Sequence, residues 1–336
     1  MRYPLPKKAL AISAAAILAL TLGACSTDAA DAEPAASSSP SSEWPRTITH
    51  EAGETVIDAK PENIVSTSLS VTGTLLAIDA PVTATSVSKA RGGTADENGF
   101  FAQWADVAIE RGIDPLYTIG ELDLEAVIAE DPDLIVVSTS GADSVLDQYD
   151  TLSEIAPTIV VNYGDQTWQD LAVELGEATG LEDEAASVVE EFDKSLAEAA
   201  EALAIEEGTT ASIVSYNAGD VSPVGKGAGP HAQLLTALGF TVAEPDEQYD
   251  TSTQKREDFA FTSYEGLSAS VTGDYTFLIS STEKTVEEFS TDPTLANLPS
   301  VKAAQVYSMG PESFRLDYYS AGDIVDWFST SFPAAK

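Results

Sequence analysis

From residue 62 onward, short β-branched runs alternate with stretches of helical spacing. Segments 63–68 (NIVSTS), 82–87, 134–138 (LIVVS) and 158–162 (TIVVN) read as strands, because uninterrupted apolar runs of this length suit strands buried on both faces. Between them, 69–79, 99–111 (GFFAQWADVAIER), 122–130, 145–155 and 168–179 carry apolar residues at helical intervals, the last closed by Gly180. The rhythm then breaks. Residues 181–207 contain neither glycine nor proline, and Val188, Val189, Phe192, Leu196, Ala199, Ala200 and Leu203 keep one helical face. Such a helix extends roughly 40 Å at 1.5 Å per residue, enough to cross a domain boundary. Beyond Gly208 the alternation restarts, with strands at 211–216, 275–280 and 305–309 and helices at 231–238 and 320–332. The pattern predicts an α/β protein of two Rossmann-like lobes, parallel sheets flanked by helices, joined by one long helix. Ligands of such lobes sit in the crevice at the C-terminal ends of the strands.

The N-terminus carries an address. Arg2, Lys7 and Lys8 precede an apolar stretch too short to span a membrane, which ends in Leu22-Gly23-Ala24-Cys25. This pattern is similar to a bacterial lipobox, in which the thiol of Cys25 would be lipidated and the leader 1–24 removed; the alternative is a plain secretory leader with an incidental cysteine. Residues 25–43 are Ala, Ser, Pro and acid without an apolar face, a tether of roughly 25 Å r.m.s. reach. The expected order is leader 1–24, tether 25–43, first lobe 44–180, linking helix 181–207 and second lobe 208–336.

Charge narrows the functional classes. The 336 residues include 55 Asp+Glu against 16 Lys+Arg, a formal net charge of −39, and the leader would remove three more bases and no acid. Nucleic-acid binding and electrostatic adhesion to anionic lipid both need clustered cations and are excluded. Cys25 is the single cysteine, which rules out an intrachain disulfide or a thiolate metal cluster. His50 and His231 are the only histidines, too few for a His-built zinc or manganese site. No G-x-S-x-G, Walker A or H-E-x-x-H occurs. Gly225–Gly229 (GKGAG) precedes a helix but lacks the dinucleotide spacing. Its amides and Lys226 would favour an anion, or form a plain surface loop. His231 reads as polar surface at a helix start. Acid pairs such as Glu190-Glu191 carry little information on so acidic a surface.

Several segments together resemble the iron-siderophore class of ABC-transporter substrate-binding proteins, and within it the ferric-enterobactin-binding branch. They are 44–46 (WPR), 64–79 (IVSTSLSVTGTLLAID), 98–104 (NGFFAQW), 132–138 (PDLIVVS), 141–144, 149–163 (YDTLSEIAPTIVVNY), 175–180, 238–240, 255–256, 298–299 and 314–321 (FRLDYYSA). The resemblance implies the class III periplasmic-binding-protein fold and a monomeric, non-enzymatic receptor. Such a receptor takes a ferric siderophore outside the membrane to an ABC importer permease with its ATPase. It needs no cofactor and no protein metal ligand, since a ferric tris-catecholate already has six phenolate oxygens on the iron; a hydroxamate siderophore, haem or a corrinoid is the alternative cargo. Recognition then requires cations against a trianion and aromatic faces against catechol rings. The candidate cations are Arg315 first, then Lys255, Arg256, Arg91 and Lys226, with Lys89 and Lys284 also near expected cleft loops. Arg315 has an intralobe salt bridge to Asp317 or Glu312 as its alternative, and Lys255-Arg256 a surface hinge pair. The aromatic candidates are Tyr117, Tyr216, Phe314 and Tyr318, each of which could equally be core. Gly225 stands where the class tends to place an aromatic. The class docks through one glutamate per lobe, and Glu125 (LDLEAV) and Glu265 (TSYEGL) fit those positions.

Overall fold

The computed structural model describes residues 44–89, 94–253 and 255–333. The chain enters through a hairpin, β1 (Arg46–His50) and β2 (Gly53–Ile57), in which Ile48 and Ile57 alone are buried. With so few apolar positions it carried no strand signature. It lies against the edge of the first sheet, where Thr55 Oγ1 donates to Thr158 O at 2.8 Å.

The first sheet contains β3 (Ile64–Ser66), α1 (Leu69–Ala77), β4 (Val82–Val87), α2 (Ala105–Arg111), β5 (Asp114–Thr118), α3 (Leu124–Ala129), β6 (Leu134–Ser138), α4 (Tyr149–Ser153) and β7 (Thr158–Val161); it follows the expected alternation except for β5, which the sequence pattern did not predict. Its strands run parallel in the order β5-β4-β3-β6-β7. Two helices are shorter than the spacing predicts. At 99–104 the chain is instead knotted by Asp96, whose Oδ1 accepts from Phe100 N at 2.8 Å and Asn98 N at 3.0 Å. The segment before α4 is a 3-10 turn, Leu146–Gln148.

Helix α5 (Trp168–Thr179) ends on Gly180 in the left-handed region, and α6 (Glu182–Leu203) follows at once. The connecting helix has 22 residues rather than the 27 or so the sequence allows. Ala204 turns left-handed at φ 44° and stops it, with its N–H still bonded to Ala200 O at 3.1 Å. Glu182, Asp183 and Glu184 in the first turn complement the helix dipole. Phe192 and Ala199 on its buried face are part of one continuous apolar core that also includes Leu75 and Leu171 on one side and Ile213 and Phe277 on the other.

The second half contains β8 (Thr210–Val214), β9 (Ser222–Gly225), α7 (Pro230–Ala237), β10 (Thr241–Val242), β11 (Phe259–Thr262), α8 (Tyr264–Ser270), β12 (Tyr275–Leu278), α9 (Glu283–Thr291), α10 (Pro299–Lys302), β13 (Val306–Ser308) and α11 (Tyr318–Thr330). Its sheet runs β11-β9-β8-β12-β13, with β10 beside the start of β8. The expectation of a parallel sheet fails here, because β9 runs antiparallel to both β8 and β11. The cause is local. Asp220 N bonds Asn217 O at 3.0 Å, Asn217 N bonds Ser222 Oγ at 3.0 Å, and Gly219 takes φ 75°, so the chain folds straight back.

Helix α11 returns across the molecule to pack on α6 and α1. Its N-cap, Asp317, is buried and accepts from Ser320 N at 3.0 Å and from Gln103 Nε2, on the first half, at 3.2 Å. Gly73 in α1 is the opposing surface. A Cβ there would fall well inside contact distance of Asp317 Oδ2 and 2.9 Å from both Asp317 Cγ and Trp104 Cδ1. Gly73→Ala is therefore expected to destabilise the chain by about 1–3 kcal/mol, the usual cost of overpacking, although alanine favours helix. Urea unfolding checks this; an unchanged or raised midpoint would show that the α1–α11 contact yields freely.

Candidate ligand cleft

The loops that leave the strands at Ser88, Thr118, Ser138 and Leu278, together with the segment 311–315, enclose a cleft of about 480 Å³. Ser88, Lys89, Gln103 and Asp143 come from the first half, and Ser280, Glu312, Phe314 and Arg315 from the second. Past Phe314 and Arg315 a narrow extension runs on to Tyr163, Trp168, His231 and Arg256. The cleft thus opens where strands of the first sheet, and β12 and β13 of the second, end, the general location of ligands in such folds.

Arg315 stands at the junction. Its Cζ lies 4.9 Å from the Phe314 ring centroid and 5.3 Å from that of Tyr163, within cation–π range of both. Its guanidinium makes no hydrogen bond or ion pair with any described residue. The alternative partners are engaged or distant: Asp317 caps α11, and Glu312 is not within ion-pair reach. Burial pushes the Asp317 carboxyl up to about 6 against its Ser320 and Gln103 donors, and it also raises that of Glu312. Phe314 is backed by Phe259 in a parallel stack at 6.1 Å.

Tyr163 and Asp143 were not singled out from the sequence. Tyr163 donates to Asp143 Oδ1 at 3.2 Å, while Asp143 Oδ2 accepts from Ser68 Oγ and Ser70 N, both at 2.8 Å. This holds the tyrosine ring under Arg315. The signals for Tyr163 were its position just past the end of a buried strand and its place at the end of the resemblant segment 149–163.

The other cations are more committed. Arg256 lines the extension but is forked onto Asp258 at 2.7 and 2.5 Å. Lys255 pairs with Asp250 at 2.8 Å, away from the cleft wall; Asp250 Oδ1 in turn accepts from Ser252 N and Phe261 N and ties this loop together. Lys226 reaches Glu247 at 3.3 Å and Arg256 O at 2.9 Å. The loop's amide at Gly227 is occupied by Glu244 at 2.9 Å, so the glycine loop holds its own carboxylate. Lys89 lines the cleft mouth, 3.9 Å from Glu121, and Lys284 pairs with Glu288 along α9. Arg91 and Cys25 lie outside the described residues.

Three aromatic candidates face elsewhere. Tyr117 is buried under the first sheet with its hydroxyl 3.4 Å from Thr67 O. Tyr216 donates to Asp292 at 2.7 Å and meets Phe289 edge-on. Tyr318 packs edge-on against Trp168, behind the extension wall. The reading of His231 as polar surface is corrected. The ring is 4% exposed, its Nε2 lies 2.7 Å from Ser313 O, and burial lowers its pKa to about 4. Pro230 at the first helical position and the facing Phe259 ring turn it inward rather than to solvent.

Glu125 and Glu265 are both exposed, each the second residue of a short helix that follows a strand. Their helices are capped alike, Asp123 accepting from Ala126 N and Ser263 from Gly266 N. The first turn of α8 is further clamped by Tyr264, whose hydroxyl shares Asp292 with Tyr216. Among the described residues no group of three or more His, Cys, Asp or Glu side chains is placed to hold a metal ion.

The chain is 42% identical over 292 residues to the ferric enterobactin-binding periplasmic protein FepB of Escherichia coli O6:H1 (strain CFT073), covering 86% of this chain and 92% of that one. It is 26% identical to the probable siderophore-binding lipoprotein YfiY of Bacillus subtilis (strain 168), over 72% of this chain and 69% of that protein. Among solved structures, that of holo-ViuP superposes with a TM-score of 0.79 at 43% identity, covering 85% of this chain and 94% of that one. The family model for periplasmic binding proteins matches residues 64–313, from the first central strand to the segment that bears the cleft. Two α/β lobes on one connecting helix, with a cleft at their strand ends, are thus the frame of a chain that belongs to the periplasmic binding protein family.

Proposed function

We propose that this protein is an extracytoplasmic receptor for a preformed ferric siderophore of the catecholate type, which it delivers to an ABC importer permease. The observation that carries the reading is Arg315, a guanidinium unpaired among the described residues and held near two aromatic rings inside the interlobe cleft. A ferric tris-catecholate offers what such a site can pair with: dispersed negative charge against the guanidinium and flat rings against its aromatic faces. The iron arrives with its coordination complete, so the wall needs donors and ring faces rather than metal ligands. Similarity to FepB and to the Bacillus lipoprotein supports the cargo class and a location outside the cytoplasmic membrane. In this reading Cys25 carries the lipid anchor, residues 25–43 form the leash, Arg256 and Lys89 supply further positive charge, and Glu125 and Glu265 meet the permease. The protein acts as a monomer and catalyses no reaction.

The test is the cargo itself. Protein purified from iron-limited cells is expected to carry a coloured complex that mass spectrometry identifies as an iron tris-catecholate. A hydroxamate, haem or corrinoid in its place, or iron bound to protein atoms, would overturn the proposal.

A further inference from the structure

We propose that His231 is a specificity residue: its free ring nitrogen, Nδ1, accepts a hydrogen bond from an uncharged donor on the ligand, a hydroxyl or an amide N–H not already bonded to the ligand's own phenolates. The inference rests on the functional reading above and deepens it, by assigning the narrow extension beyond Arg315 to a neutral arm of the cargo.

The protonation of the ring follows from its partner. Ser313 O can only accept, so Nε2, 2.7 Å away, carries the hydrogen and Nδ1 presents a lone pair. That atom is buried and accepts no hydrogen bond from any described residue. A buried acceptor left unpaired is costly, and native structures leave few of them. The strongly lowered pKa keeps the ring neutral at physiological pH, so it does not escape the problem by taking a proton. The charged groups around it are otherwise engaged. Arg256 is forked onto Asp258, and Arg315 sits within cation–π distance of Phe314 and Tyr163.

The histidine also lines the cavity that these residues enclose, next to Arg256, Asp258 and Arg315. A phenolate or carboxylate oxygen would set lone pair against lone pair at Nδ1; only a donor fits. The two recognition elements share one loop, since Ser313, which orients the imidazole, lies two residues before Arg315. Arg315 would read the anionic face of the complex and His231 the uncharged periphery.

The test pairs two ligands with two proteins. Iron tris-complexes of a catechol carboxamide are made with hydroxyethyl arms and with methoxyethyl arms, equal in charge and ring area but differing in the donor. Equilibrium dialysis is expected to show wild-type protein preferring the hydroxyethyl complex by about fivefold, the range for one neutral hydrogen bond. His231→Leu offers neither donor nor acceptor, and should bring the two complexes within twofold. A wild-type chain with no preference, or a preference that survives His231→Leu, overturns the proposal. Failure of wild type to bind either complex would instead sink the functional reading. Should the variant not fold, the diamagnetic gallium complexes serve with ¹⁵N-histidine wild type. The Nδ1 resonance must move upfield with the hydroxyethyl complex and stay with the methoxyethyl one; equal behaviour with both refutes the assignment.

Discussion

Iron uptake is expected to collapse in a chain carrying Glu125→Arg and Glu265→Arg together, while its affinity for the ferric complex stays unchanged. Both glutamates are exposed and neither lines the cleft, so ligand binding has no reason to respond. Each sits in the first turn of a capped helix, where a carboxylate is mildly favourable and a cation mildly unfavourable, by about 0.3–1 kcal/mol at an exposed site. Folding tolerates that loss. Docking would not, because reversing a charge that meets a fixed cation across an interface replaces attraction with like-charge repulsion costing several kcal/mol, and here it would do so twice. The measurements are radio-iron uptake in cells lacking the native protein and equilibrium dialysis of the purified chain. Normal uptake would remove these two residues from the docking surface, and a fall in affinity would mean that they act on the cleft.

The second large effect is expected at Arg315. Arg315→Ala should weaken binding of a ferric catecholate by about 1–3 kcal/mol, the range for losing a charge-assisted contact. Because no described side chain pairs with this guanidinium, its removal leaves no orphaned carboxylate and folding should be kept. Arg315→Lys separates charge from shape. The ammonium keeps the charge but lacks the planar fork that reaches both Tyr163 and Phe314, so an intermediate affinity is expected. Titration by calorimetry reads both variants. Equal affinity in the alanine variant would place the ligand away from Arg315, and with it the central premise of the functional proposal would go.

Local patterns were legible where local physics decided the outcome. The LIVVS strand could be read because a strand covered on both faces has little room for polar residues, and the connecting helix because its apolar stripe is uninterrupted. The antiparallel β9 was hidden in a tight reversal at 217–222 whose Asn, Gly and Asp were not weighed as a hairpin signal. The cleft divides the same way. Arg315 stood out through the resemblant segment 314–321, where it is a cation beside an aromatic just before the last helix. The commitments of Lys226 to Glu247 and of Lys255 to Asp250 depend on how one acidic loop coils, which composition cannot reveal when acids are everywhere. His231 was misread for a similar reason, since the carbonyl that holds it inside belongs to Ser313, in a distant loop.

Trp168 closes the narrow extension and touches both Phe192 of the connecting helix, at 5.0 Å, and Tyr318 of the last helix, at 5.6 Å, each edge-on. The other tryptophans, Trp44, Trp104 and Trp327, line neither the cleft nor its extension. The molecule therefore contains its own optical gauge: an indole on the wall of the extension, open to short-range quenching by a coloured guest and tied by ring contacts to both the connecting helix and the last helix.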